Sequence, residues 1–155
     1  MLSSACVIPT PLDQGLNPPK LVVNACLPQF GLFTYFSAMK TPLLHIAAED
    51  SDGDTLFARL FVVPPPTPTN QAYREKSVGG LIVTHDQNLP NRWNGSLPDG
   101  VDLCELMKTQ LDVTVAPSNV QLIVRVSDQM FSEVAGMQNT TRGLTDENYW
   151  VVTCQ

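Results

Sequence analysis

Turn-forming residues interrupt this chain at short spacing. Thirteen prolines and nine glycines stand among its 155 residues. Proline has no N–H to donate and glycine weakens the interior of a helix, so each such cluster tends to end a regular element. Between the clusters lie short apolar runs in which side chains alternate, the pattern of half-buried strands joined by turns. Charged residues make up only 15%, too few to wet the outer faces of several helices. A chain of this length makes one domain of ordinary size, able to bury a core without a metal or a disulfide staple.

Residues 1–19 read as a leader followed by a Pro-rich linker, with four prolines after Cys6 and no periodicity. A β-sandwich domain is expected over 20–155. Its strand signals fall at 20–26, 32–37, 43–49, 55–63, 79–84, 112–116, 120–127 and 148–154. In the third run Leu44, Ile46 and Ala48 alternate with His45, Ala47 and Glu49. In the seventh, Leu122, Val124 and Val126 alternate with Ile123, Arg125 and Ser127. The run 55–63 is apolar on nearly both faces and so is predicted to be central. Loops are expected at 64–78, 85–100 (with a turn at Asn94-Gly95) and 133–147. One short helix is predicted over 102–111, because Leu103, Leu106, Met107 and Gln110 recur at helical spacing. Asp102 and Glu105 stand three apart there, like a capping box. Seven or eight strands, at most one short helix and no βαβ alternation point to an all-β two-sheet sandwich.

Charge narrows the function. The net charge is −6 and the nine basic residues are scattered. A phosphate backbone or an anionic membrane surface needs them clustered, so neither nucleic acid nor electrostatic membrane docking is expected. No apolar run approaches the roughly 18 residues of a membrane span. The start, Leu2-Ser3-Ser4-Ala5-Cys6, resembles the end of a bacterial lipoprotein signal, in which small residues precede a Cys that becomes lipidated. It departs from that pattern in placing Ser3, not Leu, three before the Cys. The resemblance implies an exported chain, periplasmic or at the outer membrane surface, anchored through Cys6. The other reading is an unstructured leader with an incidental Cys.

A second resemblance rests on three stretches. Leu44-His45-Ile46-Ala47-Ala48-Glu49-Asp50-Ser51-Asp52-Gly53-Asp54-Thr55-Leu56 runs a strand into an Asp-Gly-Asp turn. Val124-Arg125-Val126-Ser127-Asp128 ends a later strand in Ser-Asp, and Tyr149-Trp150-Val151-Val152 closes the chain. In order and spacing this is similar to bacterial immunoglobulin-like and cadherin-like modules. The resemblance implies an immunoglobulin-like sandwich and leaves function open, because such folds carry many roles.

Glu49, Asp50, Asp52, Asp54 and Asp128 are candidate calcium ligands, since calcium takes several clustered oxygens. The run is not an EF-hand, as Thr55 stands where its glycine would be and Phe61 where its bidentate Glu would be. Asp also builds turns by itself, and a solvated turn is the simpler reading. Four cysteines in an exported chain suggest oxidation. Cys154 shares a strand face with Trp150 and Val152, and Cys104 lies on the apolar side of the predicted helix, so Cys104–Cys154 is the favoured bridge. Cys6 could then bridge to Cys26, unless Cys6 is lipidated.

His45 and His85 are the only histidines, and no Gly-x-Ser-x-Gly elbow or metal-spaced His pair accompanies them. Asn94-Gly95-Ser96 and Asn139-Thr140-Thr141 match the glycosylation sequon, which a bacterial chain would usually leave unused. The composite expectation is a non-catalytic envelope module that contacts another envelope or surface protein by sheet edges and loops. Trp93 is its exposed-contact candidate or else a loop anchor on the core. The alternative is a carbohydrate-binding module with Trp93 and Tyr73 as stacking platforms and calcium at the acidic turn. A hydrolase gathering His85, Asp86 and a serine stands third.

Overall fold

The computed structural model describes residues 17–35, 44–64, 75–134, 137–139 and 145–155, and it is an all-β two-sheet sandwich with one helix. In chain order the elements are β1 (Lys20–Leu21), β2 (Gly31–Tyr35), β3 (His45–Glu49), β4 (Phe57–Val63), β5 (Lys76–Gly80), β6 (Ile82–His85), β7 (Arg92–Ser96), α1 (Leu103–Leu111), β8 (Val120–Ser127), β9 (Ser132–Val134), β10 (Met137–Asn139) and β11 (Thr145–Cys154). One sheet has four strands in the order β1-β3-β7-β6, the other five in the order β2-β11-β8-β4-β5, and β9 with β10 forms a separate hairpin. Every pairing is antiparallel except that of β11 with β2, which is parallel.

The core lies between the two inner faces. The alternation seen in the sequence places Ile46 and Ala48 of β3, Leu122, Val124 and Val126 of β8, and Trp150 and Val152 of β11 in one buried cluster, which Leu60 and Val62 of the doubly apolar β4 join. Trp150 is fully buried, stacks on Phe30 at 4.6 Å between ring centroids, and donates its indole N–H to the Pro28 carbonyl at 3.0 Å. That bond satisfies the one polar group such a ring brings into a core. α1 closes the cluster with Leu103, Cys104 and Met107. Its start is set by Asp102, whose carboxylate accepts from the N–H groups of Cys104 and Glu105. Two of the helix's otherwise unpaired first N–H groups are thereby satisfied. Its end is set by Asp112 in the left-handed region, φ 57°, with its N–H turned back onto the Lys108 and Thr109 carbonyls.

Several segments differ from expectation. The first run, 20–26, keeps only two residues of strand and then coils through a single 3-10 turn, Val23–Ala25. That turn drops Cys26 to full burial, where its sulfur accepts the Ala47 N–H at 3.5 Å. The run 79–84 is not one strand. β5 belongs to the five-stranded sheet and β6 to the four-stranded one, and the chain crosses between them at Leu81, whose N–H bonds the Ala58 carbonyl. Gly79, at φ +153°, stands just before this crossing in a conformation that L side chains rarely adopt.

Asn94-Gly95 is not a turn but the middle of β7. Gly95 faces Ile46 so closely that a Cβ there would lie 2.7 Å from the Ile46 Cγ1. Close approach in a strand interior, rather than turn chemistry, is what requires this glycine. The run 112–116 forms no strand: among the described residues no strand lies alongside it, and Val113 and Val115 stay exposed. Strand propensity is realised only where a neighbour supplies pairing and burial. Finally, the stretch 133–147 is not all loop: it contributes the β9–β10 hairpin and the start of β11.

Candidate interaction surface

The outer face of the five-stranded sheet is not a plain wet surface, since it carries both buried and exposed apolar side chains. Register fixes its rows. Phe61, Ile123 and Tyr149 lie opposite one another across β4, β8 and β11, and Val63, Gln121, Val151 and Leu32 form the next row across β4, β8, β11 and β2. Arg59, Arg125 and Glu147 form the row on the other side.

One end of this face is sealed. Arg125, only 7% exposed, donates to Glu147 through Nε (2.8 Å) and through a terminal nitrogen (2.6 Å), which also meets Glu75 at 3.2 Å. Its guanidinium lies 4.7 Å above the Phe61 ring. Planar guanidinium groups suit this combination of forked hydrogen bonding and aromatic stacking. Phe131 packs edge-on against Phe61 at 6.0 Å, and Phe61, Val63 and Ile123 are buried although they point away from the main core.

The other end is open. Leu32 is 86% exposed and Tyr149 48% exposed. Leu32 is directly opposite Val151, and Tyr149 is two residues before Val151 on the same face, so the two lie diagonally within reach of one partner group. Beside them is a shallow depression of about 300 Å³ lined by Gln121, Ile123, Glu147, Asn148 and Tyr149. An apolar rim around amide and carboxylate groups can cover an apolar side chain and accept or donate hydrogen bonds at its edge.

The acidic turn is partly gathered. The Asp50 carboxyl is buried, accepts the Asp52 N–H at 2.8 Å, and feels Asp52, Asp54 and Asp128. Burial first, and those carboxylates after it, push its pKa up against the opposing effect of the Asp52 N–H. Asp52 in turn accepts from the Asn17 backbone and side-chain amides. Asp128 Oδ1 is buried with no hydrogen-bond partner. Glu49 does not join this group, since it sits on the outer face of β3 paired with Arg92. Among the described residues no three His, Cys, Asp or Glu side chains are placed to hold a metal ion.

Trp93 is not in a loop. It stands on β7 opposite Ala48, packs half-buried against the core, meets the His85 ring edge-on at 4.8 Å, and keeps its indole nitrogen buried without a partner. That is the loop-anchor alternative realised on a strand. Tyr73 lies outside the described residues, as do Cys6 and the whole linker up to residue 16.

His85 and Asp86 hold the β6–β7 connection. The His85 Nε2 is 2.7 Å from the Pro90 carbonyl, and Asp86 accepts from the Asn88 N–H and the Asn94 amide. Those two hydrogen bonds keep the Asp86 carboxyl below the usual carboxylate range. The Asn94 side chain is therefore engaged within a sheet, an unfavourable place for a glycan. His45 lies opposite Ser96 on the outer face of β3, and its backbone pairs with Leu27.

Cys104 and Cys154 form a disulfide, with Cα atoms 5.9 Å apart, as expected. Cys26 is a free, buried thiol, and desolvation raises its pKa.

Sequence reasoning missed Leu32, Gln121, Tyr149 and Val151 as a surface. One signal was available: if Trp150, Val152 and Cys154 face inward, period two turns Tyr149 and Val151 outward. That β2 would lie alongside them had no local signal. No protein family, no curated protein and no solved structure matches this chain.

Proposed function

We propose that this chain is a non-catalytic, exported module that holds another envelope or surface protein through the open end of its five-stranded sheet's outer face. The observation that carries the reading is the exposed pair Leu32 and Tyr149, flanking the half-buried Val151, beside a depression lined in part by polar side chains. What points to a partner is that exposed apolar residues adjoin one another and a depression on one sheet face, since a contiguous apolar patch marks an interaction site where a lone exposed leucine would not. The Cys104–Cys154 bridge supports an oxidising compartment, and the lipoprotein-like start at Cys6 supports an envelope anchor. His85 and Asp86 are engaged with their own loop, which supports a non-catalytic role. The likeness to immunoglobulin-like and cadherin-like modules fits the same reading.

A photo-crosslinking side chain placed at Leu32 in the native host tests it. Discrete adducts in the envelope fraction are expected from Leu32 and not from Val115, an exposed apolar control elsewhere. Equal adducts from both sites, or none from Leu32, would overturn it. A carbohydrate reading keeps one observation in its favour, the exposed Tyr149 ring beside a depression that Gln121 and Asn148 help to line. Retention on a polysaccharide matrix that is lost in Tyr149→Ala would favour that reading instead.

A further inference from the structure

The edge of the other sheet has a geometry of its own. Among the described residues β6 is the last strand of the four-stranded sheet and pairs only with β7. Beyond its last residue the Asp86 N–H bonds the Arg92 carbonyl at 2.8 Å, in the same register as the ladder. Hydrogen-bonded positions alternate in an antiparallel pair. Ile82 and Thr84 therefore turn their N–H and C=O groups toward β7, and Val83 and His85 turn theirs outward. Among the described residues neither Val83 nor His85 has a backbone partner on that outer side.

Natural edges are usually blunted by shortness, charge, proline or a bulge. β1 is two residues long, and β5 carries Lys76 and sits against a bulge in its register with β4. β2 borders the face already proposed for a partner. β6 is four residues long but carries none of the other protections: Ile82-Val83-Thr84-His85 contains no Asp, Glu, Lys, Arg or Pro, and its register with β7 is unbroken.

We infer that β6 pairs antiparallel with β6 of a second copy about a two-fold axis at Thr84, joining two four-stranded sheets into one. The outward groups are self-complementary in this register. Val83 of each copy faces His85 of the other, so two residues a side exchange four backbone hydrogen bonds. Thr84 then faces its own symmetry mate at a non-hydrogen-bonded position, where side chains approach most closely and threonine pairs are favourable. The same register brings Ile82 of one copy to the point where the other copy's chain leaves β6 for the Asp86–Asn91 loop. Ile82 is 53% exposed, so the two-fold places an exposed apolar side chain at each end of the ladder. Each chain carries a net charge of −6, but at physiological salt that repulsion is screened beyond about 8 Å. The association is a weak one, because four hydrogen bonds and two apolar side chains bury less than a standard interface.

Sedimentation of the full chain from micromolar to near-millimolar concentration tests this, together with oxidative trapping. The parent protein is expected to shift from monomer to dimer across that range. Thr84→Lys, exposed and on the outer face, is expected to weaken the dimer by roughly tenfold or more through like charges opposed across the axis, with an unchanged melting temperature. Thr84→Cys is expected to form a covalent dimer, because directly opposed non-hydrogen-bonded positions lie about 4.5 Å apart at Cα, within disulfide reach. Ser96→Cys, one strand further in on the same face, should trap no more than the parent. A chain that stays monomeric throughout would overturn the proposal and leave the edge for a strand of another protein. So would a dimer indifferent to Thr84→Lys, or Thr84→Cys trapping no faster than Ser96→Cys. These outcomes do not depend on Leu32 adducts, so this inference and the proposed function fail separately.

Discussion

Reducing the Cys104–Cys154 bridge isolates one contribution to stability without removing an atom from the core. The bridge joins the first turn of α1 to the last residue of β11 across a sequence separation of 50. Closing a loop of that length removes about 14 cal/mol/K of chain entropy from the unfolded state, worth about 4 kcal/mol at 25 °C if the native state is unstrained. Near this chain length each kcal/mol moves the melting temperature by roughly 2–4 °C, so reduction is expected to lower it by roughly 8–16 °C. The denaturant slope should rise at the same time, because the uncrosslinked unfolded chain exposes more surface. Guanidinium titrations followed by tryptophan fluorescence, with and without reductant, read both quantities, since Trp150 is buried in the core. The Cys104→Ala/Cys154→Ala variant should lie a further ~1–2 kcal/mol below the reduced parent, for it also loses two buried sulfurs. A reduced protein within ~1 kcal/mol of the oxidised one, with an unchanged slope, would refute the loop-entropy reasoning.

Gly95→Ala should cost about 1–3 kcal/mol by overpacking against Ile46; a variant as stable as the parent in chemical denaturation would show that β3 and β7 can move apart freely. Asp50→Asn should be neutral or stabilising at pH 7. Folding raises the Asp50 pKa, so the native state favours the protonated form. The contribution of Asp50 is fully present below its unfolded pKa and is lost as pH rises through the raised value. Asparagine keeps the acceptor for the Asp52 N–H without the charge, so its advantage over aspartate should grow as pH rises from below 4 toward neutrality in melting curves. Trp93→Ala should destabilise by about 3 kcal/mol, as half-buried core aromatics do, whereas Tyr149→Ala should melt within ~1 kcal/mol of the parent and lose partner contact. Millimolar calcium should leave the melting temperature where EDTA leaves it; a rise equivalent to about 2.7 kcal/mol would mean calcium binding at about a hundred times its Kd.

Much of this fold is legible in the sequence. Period two separates the side chains of β3, β8 and β11 that face the core from those that do not, because alternation is a property of the pleated backbone at each residue; β4, apolar on nearly both faces, shows only that it is central. Asp102 announced the start of α1 through hydrogen bonds that reach only three residues. Cys104 and Cys154 were matched because each already lay on an inward face. The errors share the opposite character. Val113 and Val115 had strand propensity and, among the described residues, no strand beside them. Asn94-Gly95 had turn chemistry, and the nearby Ile46 decided otherwise. Trp93 lay in a polar stretch that proved to be an interior strand.

Local residue order thus determined the strands whose apolar positions alternate, the inward face of β3, β8 and β11, and where the helix begins. Tertiary structure alone decided that β2 runs parallel beside β11, that β5 and β6 part into different sheets, that Arg125 meets Glu75 and Glu147, and that β6 is left as an edge. Those outcomes depend on which of several similar strands comes alongside. Pairing energy is shared between segments far apart in the chain, and no periodicity within one of them records the identity of its neighbour.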